Sequence, residues 1–190
     1  MALPVPMVGA PITATGGIAY APISSSVTLP TDATAQLGSG FVTVGLVDEE
    51  GVKFNEEHST EDKREWGGNV VRTVETDFKA TLAFNLLEST KAEVLKLVYG
   101  DENVTITAGK VTVKHKAGLP PRRAFAITIK DGEKLRRFVV PNGQIAVSGE
   151  ISLVRNDIIK YACTVTAFAD ETGVPVYDYV DEPVTASDDE

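Results

Sequence analysis

The clearest pattern in the chain is an alternation of apolar and polar side chains over residues 70–86. A period of two is typical of a β-strand, because successive side chains of a strand point to opposite faces of the sheet. The even positions are mostly apolar and the odd positions mostly polar, so one face should pack on a core. The even positions that predict this core face are Val74, Phe78, Leu82, Phe84 and Leu86.

A short helix is predicted directly after this strand, over residues 91–99. Thr90 and Glu93 have the spacing of a capping box, in which two side chains accept free backbone N–H groups at the start of a helix. Gly100 stands where a helix often ends, because glycine readily adopts a left-handed backbone conformation. The apolar stripe of this helix would consist of Val94, Leu95, Leu97 and Val98.

The chain from the helix to about residue 168 consists of short alternating segments separated by turn residues. Ala108-Gly109 and Asp131-Gly132 are typical of two-residue hairpin turns. Strands of this kind need a second layer to bury their apolar faces. We therefore expect a mainly β protein, a two-sheet antiparallel β-sandwich or barrel with one short α-helix that closes the core.

The composition divides the chain into three parts. Residues 1–39 carry one charged side chain, Asp32, and predict either a disordered tail or an extended N-terminal arm that packs on a neighbouring subunit. Residues 40–169 form the predicted β domain. Residues 170–190 hold eight acids and no lysine or arginine, which predicts an acidic C-terminal tail with a mobile end.

The periodicity is lost before the alternating strand. Residues 41–47 predict a first strand, but from Asn55 to Gly68 the chain is polar and acidic without a pattern. A loop of this length in a compact domain is usually functional or disordered. Residues 48–68 are therefore predicted to form a long loop, either solvated or used in an interaction.

Charge and composition narrow the function classes. The net charge of −9 argues against binding of nucleic acid or of a membrane surface, and no stretch approaches the ~20 apolar residues that span a bilayer. Residues that carry chemistry are few, namely His58, His115 and Cys163, without the spacing of a metal site, a phosphate loop or a nucleophile elbow. We expect no enzyme, no catalytic residue, no metal and no cofactor.

The charges are segregated along the chain. Residues 48–65 hold eight acids and three bases, whereas residues 110–137 hold nine bases and two acids. A basic patch can bind phosphate groups, or it can receive the acidic segment of an identical neighbour. The overall negative charge of the chain favours the second interpretation, in which the basic patch receives the acidic segment of an identical neighbour. The predicted basic partner surface consists of Arg122, Arg123, Lys134, Arg136 and Arg137.

An ordered set of motifs resembles the central signature of siphophage tail tube proteins, also called major tail proteins. The set includes Trp66-Gly67-Gly68, Val71-Arg72-Thr73, Leu87-Glu88-Ser89 and Tyr99-Gly100. The resemblance covers residues 38–100 and extends more loosely, by strand count, to about residue 168.

The resemblance implies a phage tail-tube-like fold and a structural virion protein. Its subunits would form hexameric rings that stack into the tail tube, a conduit for genome ejection into the host. DNA would pass through without specific binding. The partners would be identical subunits together with the tape measure, tail tip and tail terminator proteins, first in the host cytoplasm during assembly and then in the virion tail.

The resemblance also implies roles for two sets of residues. Residues 48–68 would reach the next ring of the tube, and the polar face of the alternating strand would line the lumen rather than merely face solvent. The inter-ring residues would be Asp48, Glu49, Glu50, Phe54, Glu56, Glu57, Glu61, Asp62 and Trp66; the lumen-facing residues would be Thr73, Glu75, Asp77, Lys79 and Thr81.

Two other functions remain open at this point. One is the inner-tube subunit of a contractile injection system, which shares the fold in family terms. The other is a monomeric β-sandwich module that binds carbohydrate or protein. Such a module predicts an exposed aromatic patch, whereas only 7% of this chain is aromatic.

Overall fold

A computed structural model describes residues 6–24 and 26–181. Within these ranges the chain forms eleven strands and one α-helix, and a single 3-10 turn follows the helix. In chain order the elements are β1 (Ala10–Pro11), β2 (Ile18–Pro22), β3 (Val42–Thr43), β4 (Val47–Arg64), β5 (Val70–Leu86), α1 (Ala92–Tyr99), β6 (Val104–Thr107), β7 (Lys110–Val113), β8 (Arg123–Asp131), β9 (Lys134–Val147), β10 (Tyr161–Phe168) and β11 (Tyr177–Asp181).

The strands form one large antiparallel sheet and a separate hairpin. Seven strands of the large sheet follow the order β3-β2-β8-β9-β10-β5-β4; β1 adds to β8 and β11 adds to β9. β6 and β7 pair only with each other. The sheet curls until β4 meets β9, where the ring centres of Phe54 and Phe138 are 5.4 Å apart. The predicted class, mainly β with antiparallel sheets and one short helix, is confirmed.

The core lies inside this curled sheet, and α1 packs against it. Alternate residues of β5 are buried, as the pattern predicts, but only at Ala80, Leu82, Phe84 and Leu86. Phe78 is 39% exposed. The core face of β5 therefore ends at Ala80, and the prediction that Phe78 and Val74 belong to the core of the subunit is wrong.

The helix starts without the predicted capping box. Lys91 is the N-cap residue, and no side chain caps the first turn. The preceding turn is held instead by Glu88, whose carboxylate accepts the Leu46 N–H at 3.0 Å and lies 3.1 Å from Lys91 Nζ. At the other end Gly100 has the positive φ, 88°, for which glycine is suited.

The N-terminal segment is part of the fold. β2 pairs with β8 from Ile18 to Pro22, and its first four residues are buried. Tyr20 donates its hydroxyl to the Glu93 carbonyl oxygen at 3.0 Å, which ties β2 to α1. Both predictions for residues 1–39, a disordered tail and an arm on a neighbour, are wrong for this strand. Its low charge reflects burial inside its own subunit.

The C-terminal segment is also folded as far as it is described. β11 pairs with β9 from Tyr177 to Asp181. Asp170 accepts hydrogen bonds from Thr172, Val174 and Tyr177, which fix the turn before this strand and hold the pKa of the carboxyl well below its usual range. The predicted acidic tail is therefore part of the sheet up to residue 181. Its predicted mobile end falls in residues 182–190, which lie outside the described residues.

Residues 48–68 do not form a loop. β4 runs from Val47 to Arg64 and pairs with β5 at Val47 and from Val52 to Arg64; only residues 65–69 form a turn. Apolar alternation is missing because the outer part of β4 is exposed on both faces, so neither face needs apolar side chains.

Candidate functional site

The β4–β5 hairpin projects beyond the rest of the sheet. β10 pairs with β5 only from Ala80 to Leu86, so residues 70–79 have β4 as their only described strand neighbour. Nearly all residues of this outer part, here called the distal hairpin (residues 57–79), are exposed. At about 3.3 Å per residue, ten residues of β5 extend roughly 33 Å from the body of the subunit.

The tip of the distal hairpin is a well-ordered turn that presents Trp66. The Glu65 carboxylate accepts hydrogen bonds from the Gly67 N–H at 2.7 Å and from the Asn69 side chain at 2.7 Å, and these bonds lower the pKa of Glu65. Arg64 donates to the Gly68 carbonyl oxygen at 2.9 Å. The Trp66 side chain takes no part in this network and is completely exposed, at 105% of its reference area.

A β-bulge interrupts the distal hairpin. Asp77 pairs with Ser59 and Glu75 pairs with Thr60, so Thr76 is the extra residue without a position opposite it on β4. An extra residue on one strand shifts the alternation of its side chains by one position relative to the other strand. Odd-numbered positions of β5 therefore change face at this point.

The bulge separates Glu75 from Asp77. His58 lies opposite Phe78, and His58 Nδ1 is 2.6 Å from Glu75 Oε1, so Glu75 shares the face of Phe78. The prediction that five polar side chains of β5 share one face is wrong. Asp77, Lys79 and Thr81 lie on the outer face of the sheet, whereas Thr73 and Glu75 lie on the face that continues the core side.

The predicted inter-ring residues are spread along β4 rather than gathered in one loop. Three acids lie at its base, where the pairing with β5 is irregular between Val47 and Val52. Phe54 packs on Phe138. In order from base to tip, the set is Asp48, Glu49, Glu50, Phe54, Glu56, Glu57, Glu61, Asp62 and Trp66.

The predicted basic partner surface does not exist as a patch, because Arg137 is buried at 4% exposure. Its guanidinium donates to Thr128 Oγ1 at 2.9 Å and to the carbonyl oxygens of Asp32 and Ala35 at 3.0 and 2.7 Å. Burial lowers the pKa of Arg137. This arginine therefore holds the N-terminal segment on the sheet and is not available to a neighbour.

Two further arginines of the predicted patch have acidic partners in their own chain. Arg123 is 8% exposed and forms an ion pair with Asp101. Arg136 donates to both carboxylate oxygens of Asp178, at 3.0 and 2.6 Å, across the β9–β11 pair. The remaining members are Arg122, whose Cζ lies 3.9 Å from the ring centre of Phe168, and Lys134, which pairs with Asp131 in the β8–β9 register.

A groove of about 390 Å³ opens between the β1–β2 side of the sheet and the base of β4. We call it the seam groove. The charged residues among its described lining are Asp48 and Glu49. No sequence pattern predicts the groove, because its lining comes from segments far apart in the chain. Its apolar lining includes Pro11, Ile18, Val52, Phe54, Ile129 and Phe138.

The described residues, 6–24 and 26–181, include both histidines and the single cysteine of the chain. No group of three or more His, Cys, Asp and Glu side chains in these ranges is placed to bind a metal ion. Cys163 is buried, which raises the pKa of its thiol to about 12, so the reactive thiolate is not populated near neutral pH. Within the same ranges, no helix has both the length and the apolar character to cross a membrane.

Comparison with known protein families decides the identity of the chain. The phage tail tube protein family matches residues 9–188, almost the whole sequence. The chain belongs to this family. A phage tail tube protein has a structural role in the tail, assembles into a tube with other tail components, and is located in the virion.

Two further comparisons complete this picture. No curated protein matches the chain. Among solved structures, the tail tube protein is similar to the tube-terminating cap of the anti-feeding prophage, determined by cryo-electron microscopy. The two share 12% sequence identity, with 94% of this chain and 97% of the cap covered and a TM-score of 0.44.

Proposed function

We propose that this tail tube protein polymerises as stacked hexameric rings into a tube through which the phage genome is ejected into the host. Family membership supports the tube, and the resemblance of residues 38–100 to siphophage tail tube proteins is the basis for six subunits per ring. The observation that carries the proposal is the β4–β5 hairpin, which leaves long strand edges unpaired and projects away from the body.

The unpaired edges favour association between subunits. β4 is 18 residues long and ends the large sheet, so its outer edge has no described strand beside it. Soluble proteins usually protect such edges, because free N–H and C=O groups readily pair with another chain. Pairing around a ring removes these edges, while stacking of identical rings along the axis remains open-ended.

The distal hairpin provides the reach between rings. It extends roughly 33 Å from the body, about the diameter of a small domain. An isolated two-stranded hairpin is only marginally stable in water. Contact with a neighbouring subunit would bury the exposed Phe78 and Trp66 and stabilise the hairpin in the assembled tube.

The outer face of β5 and its neighbours is our candidate for the lumen wall. Asp77, Lys79 and Thr81 lie on this face. Thr164 and Thr166 of β10, which pair with Ala83 and Thr81, add two small polar side chains to it. Such a surface offers DNA few cationic sites, and binding of DNA depends on cations that replace its counterions. DNA would therefore pass without adhering.

The rest of the proposal follows from the family resemblance. The subunit would be made in the host cytoplasm and would meet the tape measure, tail tip and tail terminator proteins during assembly. Its role would be mechanical, without a catalytic step or a cofactor. The genome would be a passing cargo and not a ligand.

Negative-stain electron microscopy of the purified protein, alone and with a tail-tip initiator, tests this function. We expect tubes of uniform diameter with six-fold end views. A matched control replaces residues 58–78 with Asn-Gly, which closes a two-residue hairpin between the paired residues Glu57 and Lys79. This variant should fold as a monomer and form no tubes. A wild-type protein that stays monomeric with the initiator, or normal tubes from the short variant, would contradict the proposal.

A further inference from the structure

We infer that Trp66 of one subunit inserts into the seam groove of a second copy of this chain. This inference rests on the proposed function and names the contact that the distal hairpin makes. Each subunit then has one insert, the tip, and one receptor, the seam groove. Because the two surfaces differ, the contact is heterologous and repeats from copy to copy, as a growing tube requires.

The tip is built to present an aromatic side chain. Trp66 is the only tryptophan of the chain and is completely exposed, although a tryptophan can remove ~150–250 Å² from water when it is buried. Glu65 and Asn69 already fix the turn, so little further ordering of the backbone is needed on binding. Tryptophan is also the residue type most enriched at the energetic centres of protein interfaces.

The seam groove suits this side chain. Its volume of about 390 Å³ falls in the range of pockets that bury small organic groups. Apolar side chains form most of its lining, and Phe54 at its edge is 37% exposed in the free subunit. An indole ring placed there would cover this exposed aromatic surface.

The groove that receives Trp66 must belong to another copy. Phe54 lies within β4, and Trp66 follows twelve residues later, just beyond the end of this strand; twelve residues span about 40 Å at the usual rise of a strand. The paired β5 strand keeps this stretch extended. The tip therefore cannot turn back to the groove that its own strand helps to form.

The charges around the two surfaces are complementary. Residues 63–72 at the tip carry three cations, Lys63, Arg64 and Arg72, and one acid, Glu65, which already accepts bonds from its own turn. Lys63 lies 2.6 Å from Glu61 and Arg64 lies 3.9 Å from Asp62 on the same strand, so Arg72 is the cation left for a neighbour. The charged lining of the seam groove is acidic; Asp48 already accepts a hydrogen bond from Asn85 at 2.6 Å, so Glu49 is the acid left for a neighbour there. The opposite signs of Arg72 and Glu49 favour contact between the tip and the groove.

The fluorescence of Trp66 tests the contact directly, because no other tryptophan contributes. When wild-type protein polymerises, its emission should move to shorter wavelength as the indole leaves water. Tubes that form without this shift would overturn the inference and leave the proposed function intact. Failure of the wild type to polymerise would instead count against the proposed function. In that case a mixture of two variants, each lacking one half of the contact, still tests this inference.

The mixture combines two variants that each lack one half of the contact. Gly9→Phe fills the groove from within, since a Cβ at Gly9 meets only Ile129 Cδ1 at an ordinary 3.7 Å. Trp66→Ala keeps an open groove but has no indole. Gly9→Phe alone should show the emission of an exposed tryptophan, and addition of excess Trp66→Ala should move it to shorter wavelength. An unchanged emission in the mixture would overturn the inference.

Two controls keep the result interpretable. Circular dichroism checks that each variant is folded, and Ala14→Phe replaces Gly9→Phe if the latter is not, because Ala14 lines the same groove.

Trp66→Ala should raise the concentration needed for polymerisation at least about 30-fold, the loss expected for an interface centre. Leu153 is 77% exposed and lies outside both the tip and the seam groove, so Leu153→Ala should leave that concentration unchanged. Equal effects of the two variants would overturn the inference.

Discussion

The two halves of β5 have the same sequence pattern and opposite environments. Residues 80–86 lie between β4 and β10, and Leu82 is 1% exposed. Residues 70–79 have β4 alone as a described neighbour, and Phe78 is 39% exposed. One continuous strand of 17 residues thus passes from the core of the subunit into solvent.

This difference teaches that alternation identifies a strand but not the partner that buries it. The inner half completes its packing within one chain. The outer half is held by cross-strand contacts only, such as His58 with Phe78, at 4.7 Å between ring centres, and Thr73 with Asp62, at 2.8 Å. Exposed contacts of this kind contribute little each. The outer half is therefore the part of the subunit that assembly would complete.

The largest expected effect contrasts one buried and one exposed side chain of β5. Leu82→Ala should lower the free energy of unfolding of the subunit by about 2–5 kcal/mol, because it leaves a cavity in the core. Phe78→Ala should lower it by less than about 1 kcal/mol, since the ring is only partly covered in the free subunit. Denaturant titration of both variants measures the difference. Similar losses would show that the outer half is already part of the core.

A second contrast uses two neighbouring arginines of β9 in the body of the subunit. Arg137→Ala should cost about 2–3 kcal/mol of stability, because it removes charged hydrogen bonds to a buried hydroxyl and two carbonyl oxygens. Arg136→Ala should cost only ~0–1 kcal/mol, since the Arg136–Asp178 pair is partly exposed to solvent. Thermal and denaturant unfolding of the free subunit separate these outcomes. Equal costs would mean that Arg137 does not hold the N-terminal segment.

These contrasts also show what could be predicted from the sequence. The inner half of β5 and helix α1 were predictable, since each has one apolar face and one polar face. Strand β2 was not, because its first four residues are all buried and a strand covered on both faces has no alternation. Its flanking prolines and glycines then favoured an irregular segment.

The predictions of the basic surface and of the lumen face were wrong for a different reason. Arg136 and Arg137 are adjacent on a strand, so their side chains point to opposite faces, and a count of charges along the chain cannot place both on one surface. The bulge at Thr76 has no sequence signal of its own, yet it reverses the faces of residues 72–75, up to the next shift in register. The seam groove depends on how the sheet curls, which no local pattern determines.

A smaller effect is expected in the backbone dynamics of the two halves. In the free subunit, amide hydrogens of residues 70–79 should exchange faster than those of residues 80–86, because their hydrogen bonds lie at an exposed hairpin that opens locally. In assembled tubes the exchange of residues 70–79 should slow by about tenfold or more, while residues 80–86 change little. Mass spectrometry of both states measures this. Equal protection of the distal hairpin before and after assembly would exclude it from the intersubunit contacts.

The smallest expected effect uses the bulge as a built-in control for the lumen. Asp77 and Glu75 are two positions apart on β5 but lie on opposite faces of the sheet. If the outer face lines the tube, Asp77→Lys should still allow tubes to form, since the core face is unchanged, but the added cations should retain DNA and slow ejection. Retention should weaken as salt rises, because release of counterions becomes less favourable. Glu75→Lys adds the same charge on the other face and should leave ejection unchanged at every salt concentration. Ejection assays on virions built wholly from each variant give the comparison. A stronger defect from Glu75→Lys would place the lumen on the face of Phe78. Ejection at the wild-type rate from both variants would assign the lumen to neither face of β5.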